Sequence, residues 1–176
     1  PFASWRITES LTMKAALDVS YGVVAAHVAC VAFEGWSDAE AAATWRVSVQ
    51  GVRPYRAGRF FERELSPLLA VIAESGTEFS HLLIDGYVHL KDQAGGLGAH
   101  LHAALPYPAV VIGVAKNPLA VADRCVPMHR GRSTKPLFVS AIGCSLDAAV
   151  DAIERMHGPH RIPTLLRLAD RIARSG

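Results

Sequence analysis

No apolar run in this chain approaches the roughly 20 clean residues needed to cross a bilayer. The longest, residues 16–33, is interrupted by Asp18, Ser20 and His27, which argues against a membrane span. A secretory leader is not expected either, because Trp5, Arg6, Thr8 and Glu9 break up any apolar segment near the start. Cysteine is scarce. Cys30, Cys125 and Cys144 are odd in number and show no CxxC spacing, which excludes the usual zinc and dithiol redox patterns and fits reduced thiols. Charge of one sign is also in short supply: a formal net charge of +2 does not announce a nucleic-acid partner. The basic residues are nevertheless uneven, gathering in "HRGRSTK" at 129–135 and "RIPTLLRLADRIAR" at 161–174. Such patches suit phosphates, and equally a solvated basic surface. What these absences leave is a globular protein of the reducing cytoplasm. Its 176 residues, 51% of them hydrophobic, suffice for one domain with a sizeable core, residues 1–12 forming an N-terminal extension.

The apolar pattern changes period along the chain. Residues 13–33 are rich in small and β-branched residues, with Tyr21-Gly22 marking a turn, and predict a hairpin. In Thr44 to Gln50, Trp45, Val47 and Val49 alternate with polar neighbours, predicting a half-buried third strand. From Arg59 to Ser75 the spacing becomes helical: Phe61, Leu65, Leu68 and Ile72 recur every three or four residues. Glu64 lies roughly 70° from the centre of that arc and so borders the buried face, whereas Arg63 is expected to face solvent. There follow a strand "HLLIDG", a short helix near Leu97 to Leu105, and strands "AVVIGVAK" and "PLFVSAIG". A helix from Leu146 capped by Ser145 and a last amphipathic helix near Pro163 complete the pattern. Residues 117–135 have no clear period and read as a long exposed loop. Three strands followed by alternating helices and strands predict an α/β fold with a mixed central sheet and an antiparallel hairpin edge.

Two apolar runs end on a carboxylate: "AALD" on Asp18 and "HLLID" on Asp85. Each aspartate alone reads equally as a turn opener, with Gly86 supplying a permissive backbone. Together, on strands buried on both faces, they reach the rim where open α/β sheets place ligands. Glu64 is a third acid on the border of a buried helix face. Three carboxylates gathered near sheet level repel one another and resist desolvation unless a divalent cation neutralises them. Hard oxygen donors of this kind select Mg²⁺ or Mn²⁺, ions that serve phosphodiester cleavage.

With those residues in place, the chain resembles the endonuclease V family over residues 16–173. The anchors are "DVSY" at 18–21, "PYRAG" at 54–58, "FERELSPLL" from Phe61, "IDG" at 84–86, "GLGAH" at 96–100, "IGVAK" at 112–116 and the tail "HRIPTLLRLADRIA". The resemblance implies a ribonuclease-H-like fold and a monomeric Mg²⁺- or Mn²⁺-dependent endonuclease that cuts inosine-containing DNA or RNA 3′ of the deaminated base. It further implies that Asp18, Glu64 and Asp85 bind the metal. Gly58 and Gly86 then let the backbone approach an extruded base, Tyr55 acts as the wedge in the strand, and Lys116 contacts phosphate. For Tyr55 an ordinary loop tyrosine, and for Lys116 a solvated strand-end lysine, are the alternatives.

Departures from the family pattern bear on the expectation. Ala57 stands where the wedge loop has its second proline, which loosens that loop. "GYVHLKDQAGG" lacks the family's His-Pro-Arg-Arg run, leaving His89 to approximate its histidine from a shifted position. Gly143-Cys144 replaces a Gly-His pair, with Asp147 as the nearest acid that takes the histidine's place, or as a residue favoured simply by the helix dipole. Cys144 has no histidine near it in sequence and reads as a packing thiol rather than a nucleophile. A nuclease with a different nucleic-acid substrate, or a nucleic-acid-binding homologue with weak or no cleavage, are the competing readings.

Overall fold

A computed structural model describes residues 13–51, 60–92 and 94–175. Tyr55 and Gly58, two of the expected site residues, lie outside the described residues.

The expected hairpin is present as β1 (Lys14–Tyr21) and β2 (Ala25–Phe33), and the alternating segment forms β3 (Ala43–Gln50). There follow α1 (Phe60–Ser75), β4 (His81–Ile84), β5 (His89–Leu90), α2 (Leu97–Ala104) and β6 (Val110–Ala115). The chain then forms β7 (Ala122–Asp123), β8 (Cys125–Met128), β9 (Leu137–Ile142), α3 (Leu146–Arg155) and α4 (Thr164–Arg174). Seven strands make one mixed sheet in the order β3-β2-β1-β4-β6-β9-β8, and β5 pairs with β7 in a small separate ribbon. β1, β4 and β6 run parallel at the centre, with antiparallel partners on both sides. This is the predicted α/β architecture with a hairpin edge. No helix of the described residues is long and apolar enough to cross a membrane.

One difference concerns residues 117–135, expected as an aperiodic loop. It holds β7 and β8. β8 carries Pro127, which demotes a strand in sequence, yet β8 is the sheet edge, where a missing backbone donor is tolerated.

Both faces of the sheet are covered. Leu17, Cys30, Leu82, Ile84 and Val111 pack under α1 and α2 through Leu68, Val71 and Leu101. Ala16, Val31, Leu83, Ile112 and Val139 pack under α3 and α4 through Ile153, Leu165 and Ala169. Small residues at Ala16 and Ala29, both fully buried, leave room for α4 to lie across β1 and β2. Ser145 caps α3 as expected, its Oγ accepting from Ala148 N at 3.2 Å.

Candidate active site

Strand register brings the two aspartates together. The last parallel pair of β1 and β4 is Leu17 with Ile84, so Asp18 and Asp85 follow side by side at the carboxyl end of the central strands. In β1 the alternation puts Ala16 on the α4 face and Leu17 on the α1 face, hence Asp18 turns toward α4. Glu64 comes from α1, one turn before the core residue Leu68, and is only 8% exposed. Asp18, Glu64 and Asp85 line one cavity of about 470 Å³, together with Phe61, Gly86, Tyr87, Gly96, Lys116 and Leu119.

The electrostatics are those of acids confined together. Burial pushes the Asp18 carboxyl up to about 7, against the pull of Lys116 and with the help of the Asp85 and Asp170 charges. Burial likewise pushes Glu64 up to about 8; the Tyr21 phenol opposes this, while Asp85 and Asp18 add to it. Lys116 Nζ donates to Asp85 Oδ2 at 2.7 Å. Burial works against the Lys116 charge, but the bond to Asp85 outweighs it and raises the ammonium above its ordinary value.

Asp170 is a site residue that the sequence reading passed over. It lies on α4, beside the buried Ala169, and its charge bears on the Asp18 carboxyl. Burial opposes its charge, but Arg174, whose Nε is 2.8 Å from Asp170 Oδ1, holds it below the ordinary carboxylate value. The signal was present in the tail "LLRLADRIA": Leu165, Ala169 and Ala173 mark the buried stripe, and Asp170 borders it as Glu64 borders that of α1.

Other expected residues are placed differently. Asp147 is exposed in the first turn of α3, which starts where β9 ends. Because β9 is antiparallel to β6 and pairs Ile142 with Val111, that point lies at the opposite end of the sheet from Asp18 and Asp85. Asp147 is therefore not brought to the site. His89 sets its Nε2 3.2 Å from the Ala141 carbonyl and does not line the cavity. Arg63, expected in solvent, instead stacks its guanidinium 3.6 Å from the centre of the Tyr21 ring. That ring stands beside Glu64, and the Tyr21 hydroxyl has no hydrogen-bond partner of standard geometry among the described residues. His100 stacks on Phe61 with ring centroids 3.6 Å apart, supporting one wall of the cavity from α2.

The segment after Asp85 crosses the sheet rather than leaving it. Val88 N donates to the buried Ser140 Oγ at 3.0 Å, and a Cβ at Gly113 would strike the Gly86 carbonyl and lie 2.7 Å from Ser140 Oγ. Glycine at 113 is what admits the crossing. Tyr87 Oη then donates to Asn117 O at 2.7 Å, tying the segment to the one that follows β6. Leu119 and Val121, both exposed, form an apolar lip of the cavity.

The donor set suits a hard divalent cation: all four groups are carboxylates, two of them desolvated at the cost of their charge. Among the described residues no three His, Cys, Asp or Glu side chains stand close enough together to hold a metal ion as they are.

Residues 4–133 match the family model described as endonuclease V. The endonuclease V of Pyrococcus abyssi is 33% identical over 162 residues, covering 91% of this chain and 78% of its own. That of Methanopyrus kandleri is 31% identical over 143 residues, covering 70% and 61%, so the chain spans about three fifths of that relative. Human endonuclease V superposes with a TM-score of 0.74 at 25% identity, over 98% of this chain and 88% of that one. An endonuclease V of Ciona intestinalis, crystallised with a 23-mer DNA containing an inosine followed by a ribo-adenosine, superposes with a TM-score of 0.76 at 20% identity, over 93% and 84%. The shared fold is ribonuclease-H-like.

Proposed function

The chain belongs to the endonuclease V family, and on that premise we propose that it is a divalent-cation-dependent endonuclease hydrolysing inosine-containing DNA or RNA 3′ of the deaminated base. The observation that carries the reading is the convergence of Asp18, Glu64 and Asp85 on one cavity, with Asp170 behind them. Those residues would hold Mg²⁺ or Mn²⁺. Such an ion, when bound, activates water and stabilises the departing oxygen of a phosphodiester.

The chain's own residues supply the rest. Lys116 neutralises Asp85 and lies at the cavity wall, where its ammonium can meet a phosphate. Gly86 presents backbone without a side chain, and the lip of Leu119 and Val121 offers an apolar surface to a base taken out of its stack. Tyr55 and Gly58 belong to this reading as wedge and base contact, on the strength of the resemblance alone. The same reading includes action as a monomer in the cytoplasm.

The test is cleavage of end-labelled single-stranded DNA and RNA, each with one inosine and an adenosine control, in Mg²⁺ and in Mn²⁺, by the wild type and Asp85→Ala. A cut 3′ of inosine that disappears in the variant is the expected result. Intact inosine strands in both metals would shift the reading to another nucleic-acid substrate, or to binding alone.

A further inference from the structure

Arg174 brings a positive charge to the acid cluster from outside the cavity. It follows Asp170 by one helical turn, beside the buried stripe of Leu165, Ala169 and Ala173. The pair is hydrogen bonded at 2.8 Å, yet the Arg174 side chain is 69% exposed. An exposed ion pair of this kind does little to hold a fold together. Its charge is felt beyond Asp170, at Asp18 and Asp85.

Among the described residues two of the four acids carry a paired cation: Lys116 on Asp85 and Arg174 on Asp170. They differ in freedom. Lys116 is half-buried in the cavity wall, whereas Arg174 lies on the surface of α4 with a long stem that can swing. Its guanidinium can form the same paired hydrogen bonds with a phosphate as with a carboxylate. A divalent ion on the acids would repel the guanidinium and take over its neutralising role.

Building on the proposed function, we propose that Arg174 is an exchangeable counter-ion: it neutralises Asp170 while the divalent cation is absent and turns to a phosphate of the bound strand once the cation is present. Two effects of opposite sign follow. Loss of a competing positive charge strengthens cation binding, and loss of a phosphate contact weakens strand binding. The second effect depends on the cation, because without it the guanidinium stays on Asp170.

The experiment uses the full chain as wild type, Arg174→Ala and Arg174→Lys. Mn²⁺ binding is measured by calorimetry without nucleic acid. Binding of an inosine-containing single strand is measured across a salt series in Ca²⁺, with the strand checked for intactness, and again in chelator. Arg174→Ala is expected to bind Mn²⁺ about three- to tenfold more tightly. It should bind the strand about three- to tenfold more weakly in Ca²⁺, with the salt slope reduced by about one, and as well as wild type in chelator. Arg174→Lys keeps the charge and stays near wild type. An unchanged Mn²⁺ affinity, or a strand affinity unchanged in Ca²⁺, overturns the exchange while leaving the proposed function standing. A wild type that binds no Mn²⁺ overturns both, and that failure is visible before any variant is made.

Discussion

Lys116 Nζ lies 2.7 Å from Asp85 Oδ2, joining the carboxyl ends of β6 and β4 across the mouth of the cavity. Both side chains are partly exposed, so the pair contributes at most about 1 kcal/mol to stability. Under the proposed function its weight lies in the site. Lys116→Met is expected to melt within a few degrees of wild type while cleaving an inosine strand on the order of 10- to 100-fold more slowly. Melting curves and single-turnover rates check this; an equal loss of stability and rate would assign Lys116 to the fold.

Glu64 is kept in the interior at the expense of its charge. At pH 7 the folded protein holds a proton on Glu64 that the unfolded chain does not, because burial has pushed the carboxyl up to about 8. Glu64→Gln removes that penalty. We expect the metal-free variant to be more stable than wild type by roughly 1–3 kcal/mol and inactive. Denaturant unfolding beside a cleavage assay measures both, and a destabilised variant would show that the carboxylate has stabilising partners.

The same shifts fix the sign of a pH dependence. Asp18 and Glu64 have folded values of about 7 and about 8, above those of the unfolded chain. Their contribution is fully present below the unfolded values and is lost as pH rises through the folded ones. Metal-free protein should thus lose stability between about pH 4 and about pH 8. Asp18→Asn with Glu64→Gln should flatten the profile, and saturating Mg²⁺ should flatten it for the wild type. Thermal melts in chelator and in Mg²⁺ read the difference, and a flat wild-type profile in chelator would contradict the buried charges.

Gly113 is needed where the segment after Asp85 passes over β6. A methyl group there meets the Gly86 carbonyl, which is backbone and cannot rotate away. Gly113→Ala should destabilise by about 1–3 kcal/mol and displace Gly86 from the cavity wall. Ser140→Ala, which removes the acceptor for Val88 N, should cost about 1 kcal/mol. Unfolding curves for the two variants separate the steric effect from the lost hydrogen bond.

Much of this fold was legible because its elements carry clean periods. The hairpin, β3, α1, β4, β6, β9, α3 and α4 follow from alternation, helical spacing, Ser145 as a cap and Pro163 before the last helix. β7 and β8 were not legible, because they are short and β8 contains Pro127; pairing with β5 makes the one a strand and a place at the sheet edge the other. At the site, Asp18 and Asp85 could be read as strand ends and Glu64 as the border of a helix face. That all three open into one cavity depends on register and on the packing of α1, which no local pattern contains. Asp170 was missed because an acid inside an amphipathic helix reads as solvated until α4 is seen lying across β1 and β2. Asp147 was misdirected for a similar reason: proximity in sequence to β9 says nothing about which end of that strand faces the cavity. Arg63 turned inward because the Tyr21 ring offers it a face.

The placement of α4 across β1 and β2 also bears on synthesis. Asp18 leaves the ribosome early and Asp170 late, and the helix carrying Asp170 also covers the apolar face of the hairpin that carries Asp18. A nascent chain lacking α4 has both an incomplete acid cluster and an uncovered sheet. Completion of the proposed cation site and the last step of burial are thereby tied to the same event, so the acid cluster is assembled only when the fold that restrains it is closed.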